Sequence, residues 1–346
     1  MNVRRPVAAA LALLALVPFA AGCGKSSSSG AGAPGGAAGP MQVGLVFDIG
    51  GRGDKSFNDA AYAGLEAAQK ELGIRYTTLE TSEGADREAQ MRQLANGPAK
   101  LIFGVGFLFS DDIRALAKEF PDKEFACVDY TLNPDDTLPP NLVALEFREE
   151  EGSYLVGALA ALTSKTHKVG FVGGMSIPLI KKFEAGYVAG VKAADPKCEV
   201  LVKYAGNTGN AFKDPTKGKE LALAEYHAGA DVIYHASGST GLGVFEAARA
   251  LHKLAIGVDS DQYDEAPGAI LTSMVKRVDT AVLETIRAAK ENRFEGGVRT
   301  FGLADHGVTW VYDDRNKALI PDAVKARVDS LQARIVRGEI VVPTTP

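Results

Sequence analysis

The 346-residue chain has little of what several protein classes require. Its three cysteines are too few for a disulfide framework, and no pair is spaced for zinc. Five histidines, His167, His227, His235, His252 and His306, stand at no metal-ligand spacing from Cys or Glu. Lys and Arg number 38 against 43 acids, a net charge of -5, with no basic block. A nucleic-acid binder needs such cations to displace phosphate counterions, so none is expected as a partner. No Gly-x-Ser-x-Gly elbow surrounds a candidate nucleophile. The glycines of Gly238–Gly243 lack the order and the Lys-Ser/Thr end of a nucleotide loop. Nothing after residue 40 is apolar for long enough to span a bilayer. These gaps argue against an enzyme, and no metal or cofactor is expected. What remains is a composition of 46% hydrophobic and 23% charged residues, enough to build ordinary cores.

The first forty residues read as address and tether. Arg4 and Arg5 precede an apolar stretch from Val7 to Ala21, the length of a secretory signal core. It ends Ala20-Ala21-Gly22-Cys23, which resembles a bacterial lipobox, with Ala20 where a Leu is usual. Residues 1–22 are then a lipoprotein signal peptide, and Cys23 is the lipidated residue. Residues 23–40 are nearly all Ser, Gly, Ala and Pro after the cysteine. Such a segment buries too little apolar surface to offset its ordering entropy and reads as a flexible tether. The expected location is a bacterial cell membrane, lipid-anchored on the extracytoplasmic face.

From Val43 onward, short apolar runs alternate with helical patterns. Val43–Phe47 is a buried parallel strand by its run of apolar residues. Ser56 with Asp59 three residues on looks like a capping box opening a helix. Phe57, Ala61, Gly64, Leu65, Ala68 and Leu72 recur at helical spacing, and Gly73 is a stop. The rhythm repeats through Tyr76–Leu79, Arg87–Asn96, Leu101–Val105, Asp111–Phe120, Phe125–Asp129 and Asn141–Phe147. A second set runs from Glu149–Leu162 to a last helix at Pro321–Arg337. Alternating β and α predicts α/β architecture with parallel sheets covered on both faces. Two such sets predict two doubly wound lobes, with a ligand beyond the strand ends in the cleft between them.

The strand ends hold the informative residues: Asp48, Gly104–Phe107, Asp129, Gly173–Met175, Ser237–Gly241 and Asp259–Gln262. Asp at one strand end is as well explained by a turn or a helix cap. Phe57 at helical spacing also suits a core, and Lys276 beside Arg277 also reads as a solvated helix start. Phe103 and Cys127 lie inside apolar strands and read as core. Pairing of Cys127 with Cys198 stays open.

These motifs, in this order, resemble the basic membrane protein lipoprotein family, receptors of the type I periplasmic-binding-protein kind. The likeness rests on Asp54-Lys55-Ser56-Phe57-Asn58, Gly104-Val105-Gly106-Phe107, and Gly173-Gly174-Met175 with Pro178, Phe183 and Gly186. It continues in Gly257-Val258-Asp259-Ser260-Asp261-Gln262 and Thr272-Ser273-Met274-Val275-Lys276. The resemblance implies two lobes joined by three crossovers, near Phe147, Met274 and Leu303. The first lobe would hold residues 41–148 and 274–303, the second 149–273 and 304–346. It implies a binding protein that gives a purine nucleoside (inosine, guanosine or adenosine) to an ABC transporter permease, acting as a monomer. A receptor of the same fold for a sugar or other small polar ligand is the alternative. Residue by residue, Phe57 and Phe212 match the two rings that stack the base. Asp48, Asn58 and Asp129 match base contacts, and Asp259 and Lys276 match ribose contacts, with Gly238 nearby.

Overall fold

A computed structural model describes residues 39–81, 86–133 and 136–346. The expected signal peptide, Cys23 and the expected tether up to residue 38 lie outside the described residues. The first sheet is formed by β1 (Gln42–Phe47), β2 (Arg75–Glu80), β3 (Leu101–Val105), β4 (Glu124–Val128), β5 (Leu142–Phe147) and β11 (Gly297–Phe301). Its order is β11-β5-β4-β3-β1-β2, and every pairing is parallel. The second holds β6 (Lys168–Met175), β7 (Glu199–Gly206), β8 (Val232–Ala236), β9 (Leu254–Asp259), β10 (Ile270–Lys276) and β12 (Val308–Trp310). Its order is β12-β10-β9-β8-β6-β7, parallel except where β12 runs against β10. The central strands β3 and β8 are buried throughout, which is why their apolar runs do not alternate.

Helices cover both faces of each sheet. On the first sheet, α1 (Phe57–Leu72) packs with α8 (Val278–Lys290), and α2 (Arg87–Ala95) with α3 (Ser110–Glu119). On the second, α4 (Glu149–Thr163) packs with α5 (Pro178–Ala194) and α9 (Asp322–Val336). The other face carries α6 (Pro215–His227) and α7 (Thr240–Ala250). The architecture is therefore α/β of the type I binding-protein kind. The chain passes between the sheets three times. The first crossing follows Phe147; β10 continues to Lys276, so the second falls at Arg277; the third follows Phe301. Cys127 and Cys198 are both buried free thiols, so they do not pair.

The start of α1 departs from the expected capping box. Ser56 makes no capping bond with its side chain. Asp54 caps the helix in its place. Its Oδ1 accepts from the Ser56 and Asp59 N–H groups at 3.0 and 3.1 Å, and its Oδ2 from the Asn58 N–H at 2.8 Å. Asp59 instead accepts from the Gly53 and Lys55 N–H groups. The Ser56 hydroxyl is drawn away by Asp259, a carboxylate of the second sheet.

One buried acid lies far from that region. Glu225 of α6 is fully buried, neither side-chain oxygen has a hydrogen-bond partner, and the carboxyl lies against Gly170 of β6. Burial pushes its pKa up to about 9, against the weak opposing pull of Lys203. A raised carboxyl pKa means stability is fully present below the unfolded value near 4.5 and is lost as pH rises towards 9. At pH 7.5 this costs on the order of 4 kcal/mol. Glu225→Gln should therefore raise the melting temperature at pH 8 and leave it nearly unchanged at pH 4.5. Melting curves at the two pH values check this; equal effects at both would contradict it.

Candidate functional site

In each sheet the strand order reverses beside the first strand: β1 lies between β3 and β2, and β6 between β8 and β7. Crevices open at the carboxyl ends of such strands. The two crevices face one another across a single cleft. Asp48, Phe57, Asn58, Asp129, Phe212, Gly238, Asp259 and Lys276 all line it. The structure thus brings together in one cleft every candidate ligand-binding residue that the sequence singled out.

Lys276 is the electrostatic centre. Its side chain is 2% exposed, and the ammonium donates to Asp129 Oδ2 at 2.7 Å. Glu149 Oε1 lies 3.7 Å away and Asp259 Oδ1 3.8 Å. Lys276 is no solvated helix start; it ends the buried strand β10. Burial alone would lower its pKa, but Asp129, Asp259 and Glu149 together push it above the usual lysine value. Burial raises Asp259 and Glu149 in turn, with Lys276 opposing both shifts. The ammonium also lies 4.7 Å from the Phe57 ring centre and 5.5 Å from that of Phe183, within cation–π reach.

Asp129 follows β4 and Asp259 ends β9, both with φ near +60°, at 58° and 65°. These are costly conformations for residues with a side chain, and such strain clusters at functional positions. Asp129 keeps one oxygen, Oδ1, without a partner. Asp259 Oδ2 accepts from the Ser56 hydroxyl at 2.6 Å, a bond that crosses from the first sheet to the second.

Another part of the lining is built from hydrogen-bonded polar groups. Asn58 Oδ1 accepts from the Asp48 N–H at 3.0 Å, and its amide donates to Asp54 Oδ2 at 3.0 Å. That fixes which end of the amide faces where. Asp48 Oδ1 accepts from the Ile49 N–H, and Oδ2 packs against Gly106, where any Cβ would collide with it. Gly106 also has φ 108°, so both its missing side chain and its backbone are required. Burial pushes Asp48 up to about 7 and Asp54 up to about 6.

Phe212 enters from a short 3-10 turn (Gly209–Phe212) after β7. Its ring meets Phe107 edge-on, with centres 6.3 Å apart. It also lies on Gly174, where a Cβ would run into the ring. Gly174→Ala should displace Phe212 and weaken ligand binding while changing the melting temperature little; titration of both proteins checks this. Phe107, Phe183 and Asp54 also line the cleft. Their sequence signal was the motif context alone. Ser237 also lines it, and its place just beyond β8 was a visible clue.

A family model described as "ABC transporter substrate-binding protein PnrA-like" matches residues 41–345. The chain belongs to the Bmp family. Among Bmp relatives it is similar to the "CD4+ T-cell-stimulating antigen" of Listeria monocytogenes, 39% identical over 326 residues and 88% of each chain. It is 33% identical to the "ABC transporter nucleoside-binding protein BmpA" of Lactococcus lactis, over 99% of both chains. A solved ABC transporter solute-binding protein from Aeropyrum pernix superposes with a TM-score of 0.80. It is 29% identical, covering 88% of this chain and 94% of that one. The Bmp chain is thus an ABC transporter substrate-binding protein. The arabinose-binding protein AraP of Geobacillus stearothermophilus shares the fold at TM-score 0.60 and 14% identity, covering 82% of this chain and 100% of that one.

Proposed function

We propose that this Bmp protein captures a purine nucleoside in the cleft and hands it unchanged to an ABC importer. The observation that carries this reading is the pairing of aromatic walls with a buried ammonium–carboxylate centre in one cleft. Phe57 belongs to the first sheet's helix and Phe212 to a turn of the second. A planar base fits between such rings, since stacking is indifferent to which purine is present. Asp48, Asn58 and Asp129 supply acceptors and donors to the base edge. Asp259 and Lys276 suit the vicinal hydroxyls of ribose, one accepting and one donating in a water-poor space. The name of the Lactococcus relative points the same way.

In this reading Cys23 is lipidated and the tether holds a monomeric receptor at the outer face of the cell membrane. Residues 41–148 with 277–301, and 149–276 with 302–346, are the halves that close on the ligand. The ligand shifts an open–closed equilibrium and undergoes no reaction. A thermal-shift panel with inosine, guanosine, adenosine, cytidine, uridine, ribose and galactose tests the assignment. At about 100 times its dissociation constant a ligand adds roughly 2.7 kcal/mol, a rise of a few degrees for a chain this long. A rise with purine nucleosides alone supports the reading. A rise with sugars alone selects the alternative receptor, and release of free base would make the protein a hydrolase.

A further inference from the structure

The two sheets are held to one another at one rim of the cleft by a compact set of hydrogen bonds. Gln262, in the loop after β9, donates from Nε2 to the Lys55 carbonyl at 3.0 Å. Ser260 Oγ donates to the Ser56 carbonyl at 3.1 Å. Lys55 and Ser56 immediately precede the cleft residues Phe57 and Asn58. Lys55 has φ 56°, a strained setting for a residue with a side chain, and Gln262 and Asp59 hold its peptide units from both sides.

The Gln262 amide is fixed in one orientation. Its Oε1 accepts from the Val258 N–H at 2.8 Å, a group that only donates. The same oxygen lies 3.1 Å from His235 Nε2, which must therefore carry the proton. That leaves His235 Nδ1 bare to accept from the Ser237 hydroxyl at 3.3 Å. Ser237 lines the cleft. Gln262, His235 and Ser237 are all essentially buried, and the Gln262 backbone N–H donates to Ser273 Oγ at 3.0 Å. A continuous chain of bonds thus runs from the cleft floor to the rim between the sheets.

We infer that Gln262 is a closed-state latch between the two halves, and that His235 is the positioning residue that aims its donor at Lys55. The latch acts on how long the closed form persists, and so on ligand release. The release arm of the test rests on the nucleoside reading above; the closure arm does not.

The test uses Gln262→Glu, which keeps an acceptor for Val258 and His235 and, when ionised, turns a carboxylate oxygen instead of the N–H donor towards the Lys55 carbonyl. Ser260→Ala, a milder change at the rim, guards against misfolding of the first variant. Dyes on Lys118→Cys and Glu220→Cys, on helices of opposite sheets, report the open fraction by energy transfer. Stopped-flow with guanosine reports the rates. Loss of one such bond should speed guanosine dissociation about tenfold in Gln262→Glu, with association within about twofold of the parent. Ser260→Ala should show a smaller effect of the same sign. The open fraction should rise in both variants, with or without guanosine. An open fraction and a dissociation rate unchanged in both variants, or a change confined to association, overturns the latch. A parent protein that takes no guanosine overturns the nucleoside reading, and the open fraction alone then decides the latch. His235→Gln, with a shorter donor reach, should fall between parent and Gln262→Glu; a lowered melting temperature with parental rates would make His235 structural only.

Discussion

Lys276→Met should destabilise the fold by about 3–5 kcal/mol at pH 7.5, the usual cost of removing one partner from a buried ion cluster. The side chain is replaced at similar length, so packing is nearly kept. What is lost is the ammonium shared by Asp129, Asp259 and Glu149, of which only Glu149 also faces Lys182. Those carboxylates then face each other while buried, and the pKa values of Asp259 and Glu149, already raised by burial, rise further. A raised carboxyl pKa takes stability away as pH rises, so the penalty should shrink as pH falls and the acids protonate. Denaturant midpoints of parent and variant at pH 7.5 and 4.5 check the effect. A penalty equal at both pH values would mean that lost packing, and not uncompensated charge, governs the site. Nucleoside binding should disappear at either pH, since the ribose loses its donor.

Phe57→Ala should weaken purine nucleoside binding by about 10- to 100-fold, as base–ring stacking contributes about 1–3 kcal/mol. Phe212→Ala should do the same. Both rings are only half-buried, so the melting temperatures of the free proteins should move little. The two changes together should cost less than their sum, because one base touches both rings. Phe57→Trp should retain most of the affinity. Calorimetric titration of parent and variants with guanosine measures all of this. Affinity unchanged in both alanine variants would leave the hydrogen-bonding groups as the whole of recognition and favour a sugar.

The fold was legible wherever local pattern and burial agree. The apolar runs of β1, β3, β6, β8 and β9 stand out because both of their faces are covered. The edge strand β11 is hard to read from its sequence, because Gly297–Phe301 is mostly exposed and carries Arg299. Most candidate site residues end or follow a strand or open a helix beside one; Phe212 stands in a turn beyond β7, where the family resemblance alone pointed to it. What the sequence hides is tertiary competition. Ser56 satisfies the local pattern of a helix cap, yet Asp259, 203 residues away, claims its hydroxyl. Glu149 reads as an acid in a helix's first turn, and only the crossover after β5 buries it against Lys276 and Lys182. His235 sits in an apolar strand with no motif of its own. Its role follows from Gln262, which reaches it from 27 positions further on.

The most direct test of the account is a crystal structure of the protein grown with guanosine. The expected result places the base between Phe57 and Phe212, its edge at Asp48, Asn58 and Asp129, and the ribose hydroxyls at Asp259 and Lys276. Guanosine seated elsewhere, or a cleft that stays empty of it at saturating concentration, would contradict the assignment.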